Sequence, residues 1–426
     1  MNQIELLNAK SISGDISLPG SKSITNRILL LAALGSGSIS ISGSLESDDT
    51  NYMIEALKKL GVNINKSGSL IEILGADGKF TNNDAELFLG NAGTAYRPLT
   101  AALSLMNGNY LLDGVNRMQE RPIKDLVDAL TQLGANIEYK KNVGFPPLKI
   151  SPPNLADSPK IKIKGNVSSQ YLTALLMACP LLKRPVVIDL DGELISKPYI
   201  EMTLKLLHKF GVNYINNNWK SFALKEAQNI SNPSTINIEG DASSASYFFA
   251  AAAIAGDINV IGIDDQSIQG DVEFVKVLEK MGAKVKFNNN SISVSKGKAL
   301  IGQEVDCKMI PDAAMTLATL SFFCKGSTTL KNIGSWRVKE TDRIQAMENE
   351  LTKLGAKVTS SSDAISITPP NSINDGIDID TYDDHRMAMC FALLSFTDKK
   401  IFINDPDCVS KTYPNFFKDF NGLLNV

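Results

Sequence analysis

Residues 18–37 read LPGSKSITNRILLLAALGSG, which places Lys22, Ser23 and Arg27 at the head of an apolar run. Pro19-Gly20 predicts a turn, Ser21 or Ser23 an N-cap, and Gly35 the end of a buried helix. A helix start already presents free backbone N–H groups and the positive end of the dipole, so two added cations leave that end ready for an anion. Similar groups recur: Arg97 after GNAGTAY, Arg121 in RMQERPI, Arg337, Lys339 and Arg343 in WRVKETDR, Arg386 in DDHRMAMC, and Lys411 in VSKTYP. Any one of them is explained as well by a solvated surface charge. Together, interleaved with Gly, Ser, Thr and Pro at element ends, they point to phosphate and carboxylate recognition, with arginine as a planar fork and lysine as a compact charge. Ser168, Ser169 and Gln170 in NVSSQYLTALL repeat the pattern, and capping accounts for one serine but not for the set. Two acids stand out. Asp312 in MIPDAAMTLATL is either an N-cap or a base. Glu340 inside WRVKETDR is either an ordinary ion pair or a carboxylate that its cationic neighbours keep ionised, as a general base requires.

The elements that must position these groups follow from a repeat. ALKKLGVNI, ALTQLGANI, LLHKFGVNY, VLEKMGAKV and ELTKLGAKV place Gly61, Gly134, Gly211, Gly282 and Gly355 at spacings of 73, 77, 71 and 73 residues. Each phrase reads as the end of an amphipathic helix, a helix-stopping glycine and the start of a strand. The period is too long for a solenoid and suits a small α/β unit, βαβαββ, repeated almost six times, with FFKDFNGLL as a worn-down sixth copy. Several copies add a second, nearly all-apolar helix after a small polar lead-in: GSKSITNR, GNAGTAYRP, VSSQYLTALL and GDASSASYFFAAAA. Helices apolar on all sides belong inside. Six copies predict two lobes of three, with the inner-helix starts facing a cleft between them, where ligands commonly sit.

Bulk properties narrow the function. A net charge of −3 and 43% hydrophobic residues give large cores but no global basic field, which disfavours wholesale binding to nucleic acid or anionic membranes. Five scattered cysteines without C-x-x-C spacing and only two histidines argue against a disulfide framework, a zinc site or a multi-histidine metal centre. Neither a G-x-x-x-x-G-K-[ST] loop nor a strand–G-x-G-x-x-G–helix pattern occurs, which counts against ATP and dinucleotide cofactors. The N-terminal residues read as a strand rather than a leader, and no long apolar run predicts a membrane span, so a cytoplasmic protein is expected.

LPGSKSITNR, LFLGNAGTAYRPL, RMQERPI, VSSQYLTALL, SKPYI, GDASSASYF, IPDAAMT, WRVKETDR, YDDHRMAM and KTYP follow one another along nearly the whole chain. In that order they resemble the 5-enolpyruvylshikimate-3-phosphate synthase family of enolpyruvyl transferases. The resemblance implies an α/β fold of two lobes, each of three βαβαββ modules: residues 21–239 in one, 1–20 with 240–426 in the other. It implies a monomer without metal or organic cofactor that joins phosphoenolpyruvate to the 5-hydroxyl of shikimate 3-phosphate and releases phosphate. By motif, Lys22, Ser23, Arg27, Ser168, Ser169, Gln170, Ser196, Tyr199, Asp312, Ser335 and Lys339 would bind shikimate 3-phosphate. Lys22, Gly93, Arg121, Gln170, Arg343, Arg386 and Lys411 would bind phosphoenolpyruvate. Asp312 and Glu340 would move protons, Glu340 with help from Lys22 or Lys411. Ser335 departs from the family's usual Asn, and Tyr96 replaces a smaller or more flexible residue beside Arg97. Gly93 stays glycine, so sensitivity to glyphosate, which occupies the phosphoenolpyruvate pocket of sensitive relatives, is expected.

Three rival readings remain. The sister enzyme that transfers enolpyruvate to UDP-N-acetylglucosamine usually carries a cysteine shortly before the equivalent of Arg121, and DGVNRMQER has none. An RNA phosphate cyclase of related architecture would need a nucleophilic histidine and a basic face. A non-enzymatic anion-binding protein would need neither Asp312 nor Glu340.

Overall fold

A computed structural model describes residues 2–157 and 160–426. The chain divides into two compact units, one of Gly20–Ile238 and one of Met1–Pro19 with Glu239–Val426. Each crossing lies one residue earlier than the sequence reading sets it.

In the unit Gly20–Ile238, one pattern occurs three times. Strand Asp84–Phe88 runs parallel to Asn109–Asp113, which pairs antiparallel with Leu148–Ser151, itself antiparallel to Asn136–Tyr139. Lys160–Lys164, Val186–Asp191, Ser221–Leu224 and Ile215–Asn217 repeat the order. The first module borrows its leading strand from the end of the unit: Thr235–Asn237 lies parallel to Ser38–Ser42, ahead of Leu70–Leu74 and Asn63–Ser67. Strand sequences show why one face is covered. In KIKIK, Ile161 and Ile163 are buried and the lysines point outward.

Each parallel pair requires a crossover, and a buried helix supplies it or its equivalent: Lys22–Leu34, Gly93–Leu103 and Ser169–Ala178. These helices have no polar stripe, so every face must meet protein. Leu29, Leu30 and Leu31 are fully buried, each contributing about 1.5–3 kcal/mol by leaving water. The amphipathic helices Asp48–Lys59, Lys124–Gln132 and Lys197–Lys209 keep an outer face. They end just before Gly61, Gly134 and Gly211, whose φ values of 88°, 89° and 80° are left-handed, the conformation in which glycine stops a helix.

The other unit follows the same plan with exchanged ends. Its five-stranded sheet sets Ser11–Ser17 parallel to Gly256–Ile261, with Ser291–Ser295 and Lys284–Asn288 beyond and Leu424–Asn425 at the opposite edge. A complete four-stranded sheet joins Glu304–Asp306, Thr328–Lys331, Ala364–Thr368 and Lys357–Ser360. The sixth module keeps only Ile377–Ile379 and Ile401–Asn404 of its own, and Gln3–Glu5 fills the antiparallel place beside them. FFKDFNG forms the short helix Phe416–Gly422, held by Phe416 against Tyr247, Phe248 and Tyr413. The inner helices are Ala242–Ala255, Ala314–Leu320 and His385–Phe391, and the outer ones Phe274–Met281 and Arg343–Lys353.

All five cysteines are buried and free, and burial pushes the thiols of Cys179, Cys307, Cys324 and Cys390 up to about 12. Among the described residues no helix is long and apolar enough to cross a membrane.

Gly20, in the turn that opens the first inner helix, has no room for a side chain. A Cβ there would lie 2.0 Å from the Gly43 carbonyl oxygen and 3.2 Å from Ile238 Cγ2. Gly20→Ala is therefore expected to destabilise the unit by about 1–3 kcal/mol, read as a lower urea midpoint with unchanged slope. An unchanged midpoint would contradict this packing.

Candidate active-site residues

In the unit Gly20–Ile238 the inner-helix starts collect buried cations. Lys22 opens its helix and pairs with Asp49 at 3.2 Å, both side chains being almost inaccessible. Asp49 sits in the first turn of the next helix, where its charge also suits the dipole. The Ser21 side chain makes no cap bond, although Ser21 occupies the cap position. Arg27 is buried and locked on three sides: Nε donates to Thr203 Oγ1 at 2.9 Å, Nη1 to the Ser23 carbonyl at 2.8 Å, and Nη2 to Thr173 Oγ1 at 3.3 Å. Tyr199 lies below its guanidinium, 6.0 Å from the ring centre. Burial pulls its pKa down to about 10, against a small opposing effect of Tyr199, so Arg27 stays charged at neutral pH.

A second group converges on Gly93. Built at Gly93, a Cβ would meet Arg97 Nη1 at 2.5 Å, Arg121 Nη2 at 2.9 Å and Gln170 Oε1 at 3.0 Å. Arg121 is positioned by Asn91, whose carbonyl and side-chain oxygens accept from Nη1 at 3.0 and 2.9 Å. Ser168 caps its helix, accepting from the Gln170 amide at 3.3 Å, which leaves the buried Ser169 at the first helical position. Ser196 stands at the cap of Lys197–Lys209 with φ +51°, and Tyr199 follows one turn later. Asn26 Nδ2 donates to Thr94 Oγ1 at 2.7 Å, tying the first inner helix to the glycine turn of the second. Tyr96 is buried in the helix and donates its hydroxyl to the Leu112 carbonyl at 2.7 Å.

The other unit places carboxylates at its inner-helix starts. Asp241 caps Ala242–Ala255, and Asp384 caps His385–Phe391, accepting from the Arg386 amide at 2.9 Å. Asp312 does not cap. The cap of Ala314–Leu320 is Ala313, and Asp312, two residues before the helix, turns its carboxylate onto cations. Oδ1 accepts from Lys339 Nζ at 3.2 Å and Arg343 Nη1 at 3.1 Å, and Oδ2 from Arg386 Nη2 at 3.2 Å. Arg343 also meets Glu340 at 2.8 Å and Asp384 at 2.7 Å. Arg386 Nη1 donates to Tyr247 Oη at 3.2 Å. Burial pushes the Asp312 carboxyl up, but Lys339, Arg386 and Arg343 outweigh it and hold the group well below the usual carboxylate range.

Ser335 lies in the 3-10 turn Gly334–Val338 beside buried Trp336, whose Nε1 donates to the Pro311 carbonyl at 2.7 Å and ties that turn to the Asp312 loop. Lys411 is buried at the end of the turn Pro406–Lys411, and its charge offsets part of the rise that burial gives the Asp383 carboxyl. Lys22, Ser23, Arg27, Gly93, Arg121, Ser168, Ser169, Gln170, Ser196 and Tyr199 thus belong to one unit, and Asp312, Ser335, Lys339, Glu340, Arg343, Arg386 and Lys411 to the other. Among the described residues no group of three or more His, Cys, Asp and Glu could hold a metal ion.

Sequence reasoning missed Asp49, Asn91, Thr173, Thr203, Asp271 and Asp384. Asp384 had a signal, since it precedes a helix start as Asp241 does. Thr173 and Thr203 reach Arg27 from another module, Asp49 and Asn91 pair within their own, and none of the others carries a mark of its own in the sequence. Asp271 is the least expected. Its carboxylate is buried, accepts from the Ser243 hydroxyl and, at 3.4 Å, from the Ala313 amide next to Asp312. Burial and the nearby charge of Asp312 push it up to about 6.

The family model for EPSP synthase (3-phosphoshikimate 1-carboxyvinyltransferase) matches residues 7–420. A protein named 3-phosphoshikimate 1-carboxyvinyltransferase from Paraburkholderia phytofirmans is 52% identical over 96% of this chain and 96% of its own length. One of the same name from Shewanella baltica is 51% identical over 99% of this chain and all of its own. A solved EPSP synthase from Acinetobacter baumannii superposes with a TM-score of 0.81 at 24% identity, covering 99% of this chain and 98% of that one. The enolpyruvyl transferase NikO from Streptomyces tendae superposes with a TM-score of 0.77 at 15% identity over 98% and 96% of the two chains. At these identities the two structures establish the shared fold.

The raised Asp271 carboxyl predicts a pH effect. An ordinary aspartate in the unfolded chain titrates near 3.9. From about pH 4 to about 6 the folded protein therefore keeps a proton that the unfolded chain has lost, and this group's contribution to stability falls as pH rises. Asp271→Asn removes that decline, so its unfolding temperature relative to the parent should rise steadily across the window. Parallel curves for the two proteins would contradict the assignment.

Proposed function

The chain belongs to the EPSP synthase family, and from that premise we propose that it transfers the enolpyruvyl group of phosphoenolpyruvate to the 5-hydroxyl of shikimate 3-phosphate, releasing phosphate. The observation that carries this reading is Asp312 held among Lys339, Arg343 and Arg386. A base that is ionised at neutral pH sits among cations suited to the anionic groups of the substrates. We assign shikimate 3-phosphate to Ser23, Arg27, Ser168, Ser169, Gln170, Ser196, Tyr199, Ser335 and Lys339. Phosphoenolpyruvate is assigned to Gly93, Arg121, Gln170, Arg343, Arg386 and Lys411, and Lys22 serves both.

Two multiply charged anions repel each other, and only a dense set of fixed cations offsets that repulsion. Their arrival also changes Asp312. Alone it is a weak base, because three cations neutralise it. Phosphate and carboxylate oxygens that take up Lys339, Arg343 and Arg386 compete for those charges and raise its basicity at the moment it is needed. Asp312 then accepts the 5-hydroxyl proton as that oxygen bonds to C2 of phosphoenolpyruvate. A proton passed from Lys22 or Lys411 by way of Glu340 reaches C3 and makes the methyl group of a tetrahedral ketal phosphate. The methyl proton returns by the same route as the C2–O bond to phosphate breaks, which restores the double bond in the product, and the proton held by Asp312 leaves with the phosphate.

Phosphate release from phosphoenolpyruvate tests the reading. We expect release with shikimate 3-phosphate, in the presence of EDTA, and none with UDP-N-acetylglucosamine; the opposite acceptor preference would void the assignment. Asp312→Asn should lower kcat by about 10²–10⁴ and leave both KM values within a few fold, as loss of general base catalysis does. Because Gly93 leaves no side chain between Arg97, Arg121 and Gln170, glyphosate should compete with phosphoenolpyruvate. The methyl group of Gly93→Ala should weaken both ligands by displacing Arg121. Full activity of the parent protein at high glyphosate would contradict that pocket.

A further inference from the structure

Immediately ahead of Asp384 and Arg386, two consecutive non-glycine residues adopt left-handed backbone: Tyr382 at φ +55° and Asp383 at φ +53°. An L-residue with a Cβ is disfavoured there, and a bulky tyrosine more so than an aspartate. Such a turn persists only where its surroundings hold it. Here the hold comes from one helix. Glu350 is fully buried on the helix Arg343–Lys353. Its Oε1 accepts from Tyr382 Oη at 2.6 Å, and its Oε2 from the Asp380 amide at 3.1 Å. Lys353 adds contacts of 2.8 Å to Glu350 and 2.7 Å to Asp380, and Asn349 donates to Tyr382 Oη at 3.3 Å. A carboxylate without access to water needs donors, and Tyr382, the Asp380 amide and Lys353 supply them, two of the three from the turn segment.

The same helix grips the segment a second time. Arg343 Nε donates to Asp384 Oδ2 at 2.7 Å, and Asp384 accepts from the Arg386 amide. The strained pair lies between the two grips, and Arg386 leaves the second one aimed at Asp312. We infer that Glu350 and Tyr382 are positioning residues: their hydrogen bond holds the left-handed turn that sets the direction of Arg386. The assignment of Arg386 to phosphoenolpyruvate rests on the function proposed above, whereas the hold on the turn does not.

Tyr382→Phe keeps the ring and removes the donor. The expected result is a KM for phosphoenolpyruvate raised about tenfold, the scale of one hydrogen bond to a charged group. The KM for shikimate 3-phosphate and kcat should stay within about twofold of the parent. Backbone amides 380–387 should also exchange with deuterium faster in the variant, without any substrate present. Faster exchange together with the selective KM rise supports the inference. Unchanged exchange overturns it, and so does an equal rise in both KM values, which would mark general loosening. If the parent protein releases no phosphate with shikimate 3-phosphate, the proposed function fails, and the exchange measurement alone still decides the hold on the turn.

Discussion

A guanidinium without access to water ties three segments of one unit together. Arg343 meets Asp312, Glu340 and Asp384. Burial pulls its pKa down, and the three carboxylates more than restore it, holding the group well above the usual arginine range. Removing one partner from such a buried pair typically costs about 3–5 kcal/mol, because a charge is left uncompensated. The loop with Asp312, the turn with Glu340 and the helix that begins after Asp384 are therefore bound to one side chain. Arg386 reaches Asp312 from a backbone that Asp384 caps, so its direction too depends on Arg343.

The two units solve the same positional problem with opposite charge. Both are built from modules whose inner helices start at a polar turn. In the unit Gly20–Ile238 those starts carry lysine, serine and glycine, and the nearby arginines are held by neutral oxygens from Thr173, Thr203, Ser23 and Asn91. In the other unit the starts carry aspartates, and cations are matched with carboxylates. Neutral oxygens around arginines mark the first, and a carboxylate among cations marks the second. Lys22 pairs with a carboxylate of its own unit, Asp49.

The amino-acid sequence by itself determined the modular plan. Helix-stopping glycines at a near-constant spacing reappear with left-handed φ, inner helices without a polar stripe are buried, and alternating KIKIK-type strands cover one face. All of these are local rules, acting within a helix turn or along a strand, so they can be read without knowing the neighbours. The polar helix starts were legible for the same reason. Tertiary structure decided the pairings. Arg343 and Asp384 stand 41 residues apart, Arg386 and Asp312 74, and Arg27 and Thr203 176. No spacing marks such partners, because the stacking of one module on another brings them together. That is why cations that looked surplus prove to be held from within, why Asp312 is a charge partner rather than a helix cap, and why Glu350, an unremarked position on an outer helix, grips the turn before Arg386.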